Sequence, residues 1–242
     1  MGKNRVRDYF SYPKGEVMHK NRLRMRLRLR SGLRNFSAST LTCLFLTLCG
    51  CAGHQIIITK DPLKAEEHVK LAQVYEAKGE AELATEEYKR ALEQDNTNPM
   101  AYFGLGNISF RKGNHADAEA YYKKTIENSK PDDTKCAMFY NNLSWVYIET
   151  NKKLAEAETL AQKAARLDTA RVYIYLDTLG VIYTRLKEYE KAEDSLLSAL
   201  KNAPDDKTAL RHINMHLIEL YQLQGNKDKL HEIAERLKEL SK

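Results

Sequence analysis

The sequence predicts an all-α fold, a solenoid of antiparallel helix pairs, from three observations. The first is a complete unit between Tyr173 and Asp206. Leu179, Gly180 and Tyr183 share one amphipathic segment, Ala192, Leu196 and Ala199 share a second, a turn falls near Lys187, and Pro204 ends the unit because proline cannot continue a helix. The second is that the same residue sizes recur before and after this stretch, the sign of a repeat architecture. The third is a composition rich in Ala, Leu, Glu and Lys, which favours helix. Residue size explains the unit. Gly180 removes a side chain where the second helix, starting near Ala192, must approach, and Tyr183 fills the space one turn on. Ala199 lies about two turns beyond Ala192 on the same face, where it can receive the first helix of the next unit.

The pattern can be followed along the chain. A first repeat, residues 65–98, places Leu71, Ala72, Tyr75, Gly79, Ala84, Tyr88 and Ala91 in the same register. A second, 99–132, has Leu105, Gly106, Gly113, Ala118 and Tyr122 but Ser109 where the large Tyr belongs. Gly79 and Gly113 suit a turn that needs positive φ. A third, 137–171, carries Leu143, Ser144, Tyr147, Ala157 and Ala164, with one extra residue between Asn151 and Leu154. The fourth is 173–206. A fifth, 208–241, replaces both second-helix alanines by Leu230 and Leu237. An end unit has no successor to receive, so the stripe Leu230, Ile233, Ala234, Leu237, Leu240 is expected to seal the stack.

These residues resemble the tetratricopeptide repeat, and the resemblance covers nearly all of 65–242. It implies a right-handed superhelix whose first helices line a concave groove. In that family the groove is formed by the second, fifth, ninth, twelfth and thirteenth positions of each repeat. The corresponding residues here are Met100, Phe103, Asn107, Phe110 and Arg111 in the second repeat, Met138, Asn141, Trp145, Ile148 and Glu149 in the third, and Ile174, Asp177, Val181, Thr184 and Arg185 in the fourth. Aromatic and Met side chains exposed in a concavity would be binding anchors; the alternative is that superhelix curvature or the tether buries them. Some members of the family clamp a partner's C-terminal carboxylate with cations and asparagines. Asn107 and Asn142 match the asparagine places, but Phe103, Ile174 and Thr178 stand where the cations belong. A carboxylate would lack its charge partner, so the asparagines are expected to bond the main chain of an internal peptide segment.

Charge is divided unevenly. Residues 1–50 hold 11 Lys+Arg against 2 Asp+Glu, leaving 28 against 31 in the rest, so the net +6 belongs to the leader. There Arg22, Arg24, Arg26, Arg28, Arg30 and Arg34 precede an apolar run, Leu41 to Leu48, and then Cys49, Gly50 and Cys51. The run is far below the ~20 residues that span a bilayer. A basic segment, a short apolar core and small residues describe a secretory signal. The ending resembles the bacterial lipoprotein box, which implies cleavage before Cys51 and acylation of its thiol. A start at Met25 gives a leader of ordinary length, residues 25–50. The arginine cluster has no interleaved aromatic residues, which argues against a nucleic-acid surface. Residues 51–64 read as a lipidated tether. Ala52, rather than Asp, after the cysteine implies an outer-membrane location facing the periplasm.

After processing and acylation of Cys51, Cys136 is the one free thiol, so an internal disulfide is excluded. No phosphate loop, His-Glu-x-x-His or Gly-x-Ser-x-Gly pattern occurs, and neither catalytic nor cofactor-binding residues are expected. His212 and His216 have metal-ligand spacing but no third ligand nearby, so no metal site is assigned. Two functions remain. One is a lipid-anchored scaffold or adaptor whose groove binds a peptide segment of a cell-envelope protein and localises or assembles it, as in pilus or secretin assembly or hydrolase recruitment. The alternative is an accessory subunit or regulator of a cell-wall enzyme that binds glycan or metal.

Overall fold

The computed structural model describes residues 61–204 and 207–240. The leader, Cys51 and the tether as far as Lys60 lie outside the described residues. Contacts divide the chain into two units, residues 1–61 and 62–242, and the described helices belong to the second. Among the described residues there are ten α-helices and no strand: α1 (Ala65–Lys78), α2 (Ala81–Gln94), α3 (Pro99–Arg111), α4 (His115–Glu127), α5 (Lys135–Thr150), α6 (Leu154–Leu167), α7 (Val172–Leu186), α8 (Tyr189–Asn202), α9 (Lys207–Gln224) and α10 (Lys227–Leu240). Each odd-numbered helix pairs with the next even one, and each pair stacks on its neighbour. This is the expected repeat solenoid. None of these helices is long and apolar enough to cross a membrane.

Local chemistry sets the helix ends. The Asn98 carboxamide accepts from the amides of Met100 and Ala101, both at 3.1 Å, and Pro99 opens α3 where no amide is needed. Within each pair the link turns through a left-handed residue: Gly79, Gly113 and Gly225 at φ 80°, 79° and 70°, but Asn151 and Lys187 at φ 50° and 63°. The extra residue of the third pair falls in its link, where Lys153 is a second left-handed position at φ 52°.

Small residues receive large ones across the interfaces. A Cβ added at Gly180 would lie 2.4 Å from Leu196 Cγ and 3.3 Å from the Ala192 carbonyl oxygen. The chief occupant of that space is thus Leu196, one turn beyond the expected Ala192. Gly106 faces Tyr122 in the same way, and Gly104 faces the Tyr88 ring of the preceding pair, with a Cβ only 2.1 Å from Cζ.

A second device links consecutive pairs. Tyr147 donates its hydroxyl to Glu119 on α4 (3.3 Å) and to Glu156 (3.0 Å), Tyr183 donates to Glu158 on α6 (2.8 Å), and Tyr221 donates to Glu193 on α8 (2.8 Å). A lysine covers each ring: Lys153 at 5.0 Å, Lys191 at 5.4 Å and Lys229 at 5.4 Å from the centroid. Burial first, and the carboxylate acceptors second, push all three phenols up. Between the first and second repeats both partners change together. Ser109 replaces the tyrosine, and Thr85, in the place of the glutamate, turns its hydroxyl to the Ala81 carbonyl at 2.8 Å. At the C-terminal end, Ile233 is buried while Leu230, Ala234, Leu237 and Leu240 are half-buried.

Candidate binding face of the odd-numbered helices

The groove positions lie on α3, α5 and α7, and the structure corrects their expected exposure. Phe103, Phe110 and Trp145 are only 1 %, 6 % and 5 % exposed. Ile148, Val181, Asp177, Asn107, Asn141 and Asn142 are buried as well. Met100, Met138 and Arg111 are half-buried, and Arg185 is exposed. The reason is that successive odd-numbered helices touch on this side. The Phe103 ring sits 4.8 Å from Phe139 on α5 and 5.9 Å from Tyr122, centroid to centroid. Position in the repeat gives the direction of a side chain; the approach of the next helix decides whether it is covered.

Polar groove positions form links along the same face. Arg111 on α3 pairs with Glu76 on α1, and Glu76 also accepts the Tyr88 hydroxyl at 2.5 Å. Asn107 Oδ1 accepts from Tyr122 (2.8 Å) and from Asn142 Nδ2 on α5 (3.0 Å). The asparagines expected to hold a peptide main chain therefore bond within the protein. Asp177 Oδ1 on α7 lies 2.8 Å from His216 Nδ1 on α9, and Arg185 Nη1 donates to Glu219 Oε1 at 3.4 Å. His216, which shares metal-ligand spacing with His212, is bonded to a residue on another helix. Among the described residues no group of three or more His, Cys, Asp or Glu could hold a metal ion.

Two acceptors on this face have no hydrogen-bond partner, Asn141 Oδ1 and Asp177 Oδ2. The His216–Asp177 pair was not legible from the sequence, since the residues are 39 positions apart and neither stands in a local motif. Cys136 is buried, its Sγ donating to the Lys130 carbonyl at 3.1 Å, and burial pushes the thiol up. It has the character of a packed side chain rather than a nucleophile.

Known proteins with this architecture place the chain. Tetratricopeptide-repeat family models match residues 69–133 and 174–206. The chain is 27 % identical over 147 residues to the human cilia- and flagella-associated protein 70, covering 61 % of this chain and 13 % of that protein. It is 29 % identical over 135 residues to the type IV pilus assembly protein PilF of Pseudomonas aeruginosa, covering 54 % of this chain and 51 % of that one. These matches thus span about half or less of those relatives' length. The crystal structure of PilW, described as a widely conserved type IV pilus biogenesis factor, superposes with a TM-score of 0.64 at 21 % identity, over 73 % of this chain and 77 % of that one. The chain carries tetratricopeptide repeats, and its ten described helices form the solenoid of that family.

Proposed function

We propose that this protein is an envelope adaptor: anchored at the outer membrane through an acylated Cys51, it captures a peptide segment of a cell-envelope protein along the α3–α5–α7 face and localises or assembles it. The observation that carries this reading is the composition of that face. It carries half-buried Met100 and Met138, buried aromatic residues and two unpartnered acceptors, a mixture of apolar surface and unsatisfied polar groups that suits a bound segment. The likeness to PilF and PilW favours a partner in a surface-fibre assembly system over a soluble one. The domain organisation that goes with it is a leader over 1–50, a tether over 51–64 and repeats over 65–242. Stable attachment needs two or more acyl chains, because one gives only marginal binding.

The reading is tested by placing a photo-crosslinking residue at Met138 in the membrane-anchored protein. An envelope protein crosslinked there, and lost when Cys51→Ser releases the chain from the membrane, is the expected result. A chain that stays on membranes after Cys51→Ser with normal processing removes the anchor from the proposal. Absence of any crosslinked protein at Met138 in the anchored form removes the capture.

A further inference from the structure

The two unpartnered oxygens specify the kind of residue the captured segment presents, an inference that rests on the capture reading above. Asn141 Oδ1 on α5 and Asp177 Oδ2 on α7 occupy the same repeat position in successive pairs, and the two helices pack on each other. Their side chains belong to residues 5 % and 0 % exposed. A buried acceptor left without a donor is unfavourable, and more so when it belongs to a carboxylate. The other Asp177 oxygen is held by His216 at 2.8 Å, and the His216 ring lies 6.1 Å from that of Trp145. The His216 side chain is 20 % exposed, while the two acceptor atoms beneath this face are buried.

The arginines of this face are engaged elsewhere, Arg111 with Glu76 and Arg185 with Glu219. What the cluster offers a ligand is therefore two acceptors, one of them on a carboxylate, beside an indole. His216 is already held by the other Asp177 oxygen, so an anionic group would meet the Asp177 carboxylate with no cation shown free to offset it. A cation with several N–H donors satisfies both oxygens and gains from the ring. We propose that the face takes a lysine or arginine side chain of the captured segment, with its donors on Asn141 Oδ1 and Asp177 Oδ2 and its aliphatic stem along Trp145. This is the reverse of a carboxylate clamp: the specificity is for a basic residue inside a peptide, not for an acidic end.

The test is selection of a random peptide display library on the full chain, followed by titration of enriched peptides with the fluorescence of Trp145, the chain's one tryptophan. Enriched peptides are expected to share Lys or Arg at one register. Replacing that residue by norleucine, a change that leaves the protein untouched, should weaken binding about tenfold or more. Asp177→Asn should weaken it similarly, and so should Asn141→Leu, which retains the Asp177–His216 pair; circular dichroism checks that both variants are folded. Enriched peptides with no shared basic position, with an acidic one, or with norleucine analogues that bind equally well would overturn the cation site and leave groove capture standing. Failure to enrich any peptide would overturn the capture itself.

Discussion

Single atoms decide much of the stability of this solenoid, and Gly104 shows how. A methyl group there would lie 2.1 Å from Cζ of Tyr88, whose ring is fully buried and whose hydroxyl is tied to Glu76 at 2.5 Å. The ring cannot rotate away without breaking that bond. Gly104→Ala is expected to lower stability by about 1–3 kcal/mol despite alanine's better helix propensity, a loss read as a lower thermal midpoint; an unchanged midpoint would mean that Tyr88 has room to move. Glu119 gives a different residue-scale effect. Bonds from Lys153 (2.6 Å) and Lys123 (2.9 Å) hold its carboxyl down at about 2 from an ordinary 4.5. A depressed acid contributes stability that is complete above its unfolded value and disappears as pH falls towards the folded one. The contribution should therefore fade between about pH 4.5 and 2. Its size is small, since the Glu119 side chain is 27 % exposed and surface pairs are worth about 0–1 kcal/mol. Glu119→Gln is expected to show a shallower fall in melting temperature across that window than the parent chain, and an identical acid limb would remove the pair from the account.

At the scale of the element, the links inside each pair use one geometry with different residues. Three links place glycine at the left-handed position, whereas the fourth pair places exposed Lys187 there at φ 63°. A side chain in that region costs about 1–2 kcal/mol, part of which glycine returns through its greater freedom when unfolded. Lys187→Gly should therefore raise stability by about 0.5 kcal/mol or more in denaturant melts; a lower midpoint would show that the lysine contributes more than its backbone costs. Elements of this kind were legible in the sequence because they depend on local order: the helical period, the glycines at 79 and 113, and the extra residue before Leu154. Contacts between pairs were less legible. Gly180 reads as a close approach, but its chief neighbour is Leu196, and the Gly104–Tyr88 contact has no sequence signal because it joins different repeats. The candidate face diverged for the same reason. Phe103 and Trp145 occupy groove positions, yet they are buried, with Phe139 of α5 against Phe103 and His216 of α9 near Trp145, and no single repeat encodes those contacts.

Across the whole molecule, the links on the odd-numbered helices have a common form, each joining one pair to the next: Glu76 to Arg111, Asn107 to Asn142, Asp177 to His216 and Arg185 to Glu219. The tyrosine–glutamate bonds repeat that logic towards the even-numbered helices. In such a chain stability is a sum of units and nearest-neighbour interfaces, so damage should stay near its origin. Arg111 joins the first pair to the second, and its removal would leave the Glu76 carboxylate, whose side chain is 7 % exposed, with the Tyr88 hydroxyl alone. Loss of one partner from a largely buried charged pair costs about 1–3 kcal/mol or more. Arg111→Met is therefore expected to speed hydrogen exchange in α1 and α2, which have only one neighbouring pair among the described helices, while α7 and α8 exchange as before. Asn107→Leu, at the next interface, should loosen helices on both of its sides. Uniform acceleration through all ten helices in either variant would show that the domain opens as one cooperative block, and the nearest-neighbour account of its stability would fail.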